Sequence, residues 1–218
     1  MELGIAYIWE GSHFELFFFG VVLVCMQASI WVIGSVLILG VLLFFSFRFK
    51  GIETPNYKLI KMVGEVEIRE YPQLILAQTK LGSSRFDSNG NKGFGVVANY
   101  IFGGNEHKQK IAMTSPVIMN MSDKEASMSF VMPSQYQLAE LPAPNSAAVS
   151  LVIQDSMRLA FLRFGGFSSD EKIAKHAQIL TQVLQENNIR IKGPLLFMGY
   201  NAPWDLINRR NEVAFQID

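Results

Sequence analysis

Glu65–Leu81 reads EVEIREYPQLILAQTKL. Its first part, Glu65–Tyr71, alternates apolar and polar residues as a half-buried strand does, and Leu74–Leu81 supplies a second strand. A turn-rich stretch follows, with Gly90-Asn91-Lys92-Gly93-Phe94-Gly95 reading as a loop into a helix over Lys92–Phe102. Lys110–Met121 (KIAMTSPVIMNM) returns as a strand with Pro116 at an edge or a bulge.

The same order recurs further along the chain. Val149–Asp155 and Met157–Phe164 read as strands. Ser168 and Glu171 have the spacing of a capping box. The helix they open carries Ile173, Ala177, Leu180, Val183 and Leu184 as its apolar stripe and stops at Asn187-Asn188. Pro194–Tyr200 is the return strand, and Ser127–Met132 and Glu212–Ile217 complete the set. Two duplicated strand-strand-helix-strand units predict an α+β domain with a pseudo-two-fold axis. Its antiparallel sheet would curve into a distorted or open β-barrel flanked by two helices, leaving apolar grooves between helix and sheet.

Ahead of this domain, Leu16–Phe47 contains no Asp, Glu, Lys or Arg. At 32 residues it exceeds the ~20 that a helix needs to cross a bilayer, and falls short of the ~40 that two spans would need. It predicts one transmembrane anchor over 16–47, after a short segment 1–15 and before a linker 48–56; the folded domain is 57–218. A cleaved signal is disfavoured, because the basic start is absent and the apolar run is too long. Residues 1–47 hold Glu2, Glu10 and Glu15 but no Lys or Arg, whereas Arg48, Lys50, Lys58 and Lys61 follow. The bias predicts an extracytoplasmic N-terminus and a single-pass protein with its domain in the cytoplasm.

The part after residue 47 carries 19 basic and 16 acidic residues, too slight an excess to argue for nucleic acid. The single cysteine, Cys25, lies in the apolar run, so neither a disulfide framework nor a Cys-based metal site is expected. Nucleophile-elbow, zinc-protease, P-loop and dinucleotide-binding motifs are all missing. Glu65 and Glu67 share one strand face and Glu70 takes the other, so the three read as solvent-facing rather than as an acid/base pair. The expectation is a binder, not an enzyme.

The segments YKLIKMVGEVEIREY (57–71), NYIFGGNE (99–106), KIAMTSPV (110–117), FVMPSQY (130–136), LPAP (141–144), FGGFSS (164–169) and GYNAPWDLINRRNEVAF (199–215) together resemble the SOUL haem-binding proteins. The resemblance implies a duplicated α+β barrel and a shallow apolar cleft for haem or a related tetrapyrrole. It places that cleft against the first helix (Phe94, Val97, Ala98, Ile101) and the loop before the last strand (Trp204, Arg209, Arg210). Phe94, Val97 and Ile101 recur at helical spacing, so they would share one face, though such a stripe is more often core than cofactor site. Trp204 could stack on a macrocycle, and the arginines could fork onto its carboxylates. One of them could instead pair with Glu212 or a backbone carbonyl.

Some relatives carry a histidine in the strand matching Ile68-Arg69-Glu70-Tyr71, where this chain has Glu70. A carboxylate is a poor substitute for imidazole on haem iron. Of the remaining donors, His107 follows GGNE in a loop and is the one weak iron candidate; His176 borders the second helix's apolar stripe, and Met113 reads as packing. The resemblance thus implies weak, reversible haem binding by apolar contact. The alternative is a module for another amphipathic ligand or a protein partner.

Overall fold

The computed structural model describes residues 52–201, 205 and 207–218, together with Ser35 and Gly40. The expected anchor over 16–47 therefore lies outside the described residues save those two, and Trp204 lies outside them as well. Among the described residues no helix is long and apolar enough to cross a membrane.

Ile52–Asp218 forms one compact unit. Its strands are β1 (Lys58–Val63), β2 (Val66–Tyr71), β3 (Leu74–Lys80), β4 (Val117–Asn120), β5 (Ser127–Val131), β6 (Ser150–Gln154), β7 (Met157–Gly165), β8 (Ile191–Gly199) and β9 (Arg210–Ile217). Helix α1 is Phe86–Ile101 and helix α2 is Asp170–Glu186. All pairings are antiparallel, in the order β1-β2-β7-β9-β8-β4-β5-β3-β6. The order from β2 to β6 is symmetric about the β8–β4 junction, and the first strand of each repeat pairs with the second strand of the other.

That exchange dictates the shape. β2 and β3 stand second and eighth in the order, so a flat sheet would part them by roughly 29 Å. The two-residue link Pro72-Gln73 reaches at most about 11 Å. Asp155-Ser156 imposes the same constraint between β6 and β7. The sheet must curl, and it forms a half-barrel open along the edges β1 and β6 rather than a closed barrel.

Curling gives the sheet two buried faces. The outer face carries Val66, Ile68, Ala77, Phe130, Leu162, Val213 and their neighbours against Ile101 of α1 and Ile173, Leu180 and Leu184 of α2. The inner face holds Tyr71, Leu76, Ile118, Val131, Leu159, Phe161, Met198 and Ala214. This is why β7 is apolar on both sides through Leu159–Leu162.

Four sequence expectations change. Helix α1 begins at Phe86, not Lys92, so the glycine-rich stretch 90–95 is helix rather than loop. Tertiary contacts override its poor propensity. The Phe86 N–H donates to Asp170 Oδ1 (2.6 Å), and the Phe86 ring meets Phe197 edge-on at 4.9 Å. Gly93 sits where a Cβ would lie 2.6 Å from Leu81 Cδ2, so its missing side chain lets α1 settle onto β3 and β5. Second, α2 is capped by Ser169, whose hydroxyl accepts the Lys172 N–H (3.2 Å), one residue past the expected Ser168.

Third, the strand expected over 110–121 pairs only at Val117–Asn120. Before it, Thr114 hydrogen-bonds the Val131 carbonyl and the Ser115 N–H donates to the Glu53 carbonyl (2.8 Å). Those groups are spent outside the ladder, which leaves 113–115 as a loop. Finally, β1 was not expected as a strand: Lys58–Met62 is exposed on both faces and so shows no alternation.

Candidate functional site

A cleft of about 390 Å³ opens between the first half of α1, the 113–115 loop, the turn after β7 and the loop joining β8 to β9. Phe86, Phe94, Met113, Met119, Met128 and Phe197 make it apolar. Such a volume sits at the lower end of the ~300–1,000 Å³ typical of small-molecule sites. Polar groups in the lining are Asn91, Thr114, Ser115, Ser168, Asn201, Asn211 and Arg209.

Arg209 is half-buried, its Nη1 donating to the Asp205 carbonyl (2.7 Å) and its guanidinium 4.7 Å from the Phe167 ring. Asn211 donates to the Gly166 carbonyl (2.7 Å), which fixes the turn carrying Phe167. Gly166 has φ +79°, a conformation that favours glycine.

A buried charge network stands behind the β8–β9 side of the cleft. Arg69 of β2 and Glu212 of β9, 143 residues apart, form a two-pronged pair at 2.8 and 3.0 Å. They are 1% and 0% exposed, so the pair is fully desolvated. Arg69 also donates to Glu67 (2.8 Å) and lies over the rings of Phe161 (4.1 Å) and Tyr57 (4.6 Å). Glu212 further accepts from the Tyr200 hydroxyl (2.7 Å) and from Arg210 (2.8 and 3.1 Å), whose guanidinium stacks on the Tyr200 ring.

Burial alone would push the Glu212 carboxyl up. The hydrogen bonds and charge of Arg69, then the bonds from Tyr200 and Arg210, outweigh it and hold the group below the usual carboxylate range. Burial likewise opposes the charge on Arg69, but its bonds to Glu212 and Glu67 raise it further from deprotonation. The Tyr200 hydroxyl is pushed up, by burial and then by the Glu212 charge. The network is ionised and saturated, so its role is to fix β2, β9 and the end of β8 relative to one another.

The expected ligand residues divide. Phe94 and Arg209 line the cleft. Val97, Ala98 and Ile101 are buried in the outer core at 0%, 7% and 1% exposure and offer no surface to a ligand. They lie past the point where α1 descends onto the sheet. The Arg210 guanidinium is committed to Glu212 and Tyr200. His107 is exposed beyond the far end of α1 and does not line the cleft.

His176 stacks on Phe164 at 4.2 Å, with its Nδ1 2.7 Å from the Lys172 carbonyl oxygen, half-buried at the border of the helix's apolar stripe as expected. Glu67 is half-buried against Arg69 rather than solvent-facing, and Glu70 pairs with Arg158 (3.1 Å). Among the described residues no three His, Cys, Asp or Glu side chains gather as a metal site.

Sequence reasoning missed Phe86, Phe197 and Phe167 in the cleft and Arg69 and Tyr200 behind it, whereas the alternative pairing of one arginine with Glu212 is the one Arg210 makes. The paired motifs EIREY and RRNE were the available signal, since an arginine and a glutamate inside strand patterns need each other when buried.

A family profile described as SOUL heme-binding protein matches residues 52–216. The chain belongs to the SOUL family. It is 31% identical over 176 residues to Heme-binding protein 2 of Homo sapiens, covering 75% of this chain and 85% of that protein. Heme-binding protein 1 of Xenopus laevis is 29% identical over 177 residues, covering 76% of this chain and 92% of its own. The SOUL fold extends further: the EcmrR C-terminal domain superposes with a TM-score of 0.54 at 11% identity, covering 74% of this chain and 98% of that one.

Proposed function

We propose that this SOUL protein is a membrane-tethered binder of haem or a related tetrapyrrole, serving to buffer, deliver or sense it, and not an enzyme. The carrying observation is an apolar cleft edged by Arg209 in a chain that belongs to a haem-binding family. The residues present fit a porphyrin's flat apolar face and one of its carboxylates. Phe86, Phe94, Met113 and Phe197 would hold the face, and Arg209 the carboxylate. Bound haem would bring an iron centre of redox and ligand-binding chemistry. No imidazole lines the cleft among the described residues, which supports loose, reversible retention by apolar contact. The same fact favours a second reading, a site for a different amphiphile. The charge-free run 16–47, followed by Arg48 and Lys50, supports a single-pass anchor with the domain on the cytoplasmic side.

The test is titration of the full chain in nanodiscs with haemin and with metal-free protoporphyrin, read by absorbance against empty nanodiscs. Saturable one-to-one binding is expected for both, with affinities within about threefold of one another because apolar contact dominates. Phe94→Glu should weaken both at least about tenfold by placing a charge against the apolar face. Unsaturable binding indifferent to Phe94→Glu would overturn the tetrapyrrole reading and leave the other amphiphile.

A further inference from the structure

The chain enters the folded unit at the cleft. Ile52, its first described residue apart from Ser35 and Gly40, is a cleft-lining side chain. Glu53 is pinned beside it: a bridge to Thr114, a carbonyl accepting the Ser115 N–H (2.8 Å) and a carboxylate accepting the Ser134 N–H (2.9 Å). The entry point is therefore fixed to the cleft wall and cannot swing away from it.

Only four residues, 48–51, separate Ile52 from Phe47, the last of the charge-free run, so five Cα–Cα steps join the two. Fully extended, they reach about 18 Å. A 167-residue domain is roughly 40 Å across. If 16–47 is a membrane anchor, a tether that short confines the entry end of the domain to the bilayer's neighbourhood, and the cleft lies at that end.

The surface there suits such a position. Ile52 is 50% exposed, Phe167, also in the lining, is 59% exposed, and Ile207 is 80% exposed in the loop whose ends, Asn201 and Arg209, line the cleft. Two large apolar side chains of the lining, Ile52 and Phe167, held out to water, with Ile207 two residues before Arg209, are matched to a bilayer interface; Arg209 adds charge that anionic headgroups attract, and in sequence Arg48 and Lys50 precede Ile52.

We infer that the cleft mouth docks on the lipid surface and that the ligand is exchanged directly with the bilayer. The ligand class follows: an amphiphile already partitioned in the membrane, whose apolar body passes into the cleft while its anionic head stays at the interface beside Arg209. This inference rests on the anchor reading above, and the test separates the two.

The experiment uses the full chain in phosphatidylcholine–phosphatidylserine vesicles on a Cys25→Ser background, which removes the single native cysteine. A bimane is attached at Ile207→Cys on the mouth, and in a second protein at Phe167→Cys. The control is Phe102→Cys, equally apolar and 62% exposed, at the far end of α1. Flotation with vesicles after carbonate treatment reports the anchor. Lipids carrying a shallow nitroxide report docking.

Quenching at 207 and 167 should exceed that at 102 by at least about threefold. Flotation with equal quenching at all three positions would overturn docking and leave the anchor standing. Failure to float would overturn both.

Discussion

The two faces of the curled sheet solve the problem of burial in opposite ways. The inner face near β9 buries full charges, Arg69 and Glu212, and neutralises them by mutual contact with Tyr200, Arg210 and Glu67. The outer face beside α1 buries carbon and sulfur and leaves a cleft unfilled between Phe86, Phe94, Met113 and Phe197. A saturated charge network has one low-energy arrangement, because every alternative strands a charge in a dry interior. Methionine thioethers, with three rotatable bonds, have several of similar energy. The charged face fixes Tyr200 and Arg210, at the ends of the β8–β9 connection, and the other face keeps the more adaptable side chains.

This contrast is broken most severely at Glu212. Glu212→Gln leaves the buried Arg69 guanidinium with only the half-exposed Glu67 as counter-charge and should cost about 3 kcal/mol, measured by urea unfolding. Arg69→Met with Glu212→Leu removes both charges and should recover most of that loss. If the double variant is as unstable as the single one, the network contributes more than charge balance.

Acid sharpens the same point. The folded-state carboxyl of Glu212 lies below its unfolded value, so its contribution is full above the unfolded pKa of about 4.3 and is lost as pH falls through the lower folded value. Stability should decline below about pH 4.3, less steeply in Glu212→Gln. Arg69 stays protonated throughout and adds no slope.

The sequence revealed the soft face and hid the rigid one, for physical reasons. Strand periodicity is local, so β2, β3, β6, β7 and the duplication they form could be read directly. The helical stripe of α1 was visible too. But spacing cannot say that Val97 and Ile101 press on the sheet while Phe94, a turn earlier, overhangs the cleft. The start of α1 was hidden because Gly90, Gly93 and Gly95 argue against helix, and the compensating contacts come from Asp170, Leu81 and Phe197. The Arg69–Glu212 pair left only an indirect trace, an arginine and a glutamate inside strand patterns, because nothing local joins residues 143 apart.

Tyr200 belongs to both faces, a cleft-lining residue whose hydroxyl is bonded to Glu212 (2.7 Å). Tyr200→Phe separates the roles. Losing one hydrogen bond to a carboxylate that keeps Arg69 and Arg210 should cost about 1.5 kcal/mol, at the low end for charged acceptors. The ring remains, so haemin affinity on the proposed reading should change by less than about threefold. A larger loss of binding would mean that the network orients the cleft wall as well as stabilising it.

The smallest expected effect tests whether the soft face is only soft. Met113 lies half-buried in the 113–115 loop, and its thioether is one of three in the lining, with Met119 and Met128. Met113→Leu conserves volume and should cost less than about 1.5 kcal/mol in stability. If the cleft holds a tetrapyrrole by apolar contact, the Soret position should not move, and haemin should lose no affinity relative to metal-free protoporphyrin. A selective loss of haemin with a shifted Soret band would show sulfur acting as a ligand to iron. The outer face would then be chemically specific at Met113, and its contrast with the charged inner face would narrow to one of rigidity alone.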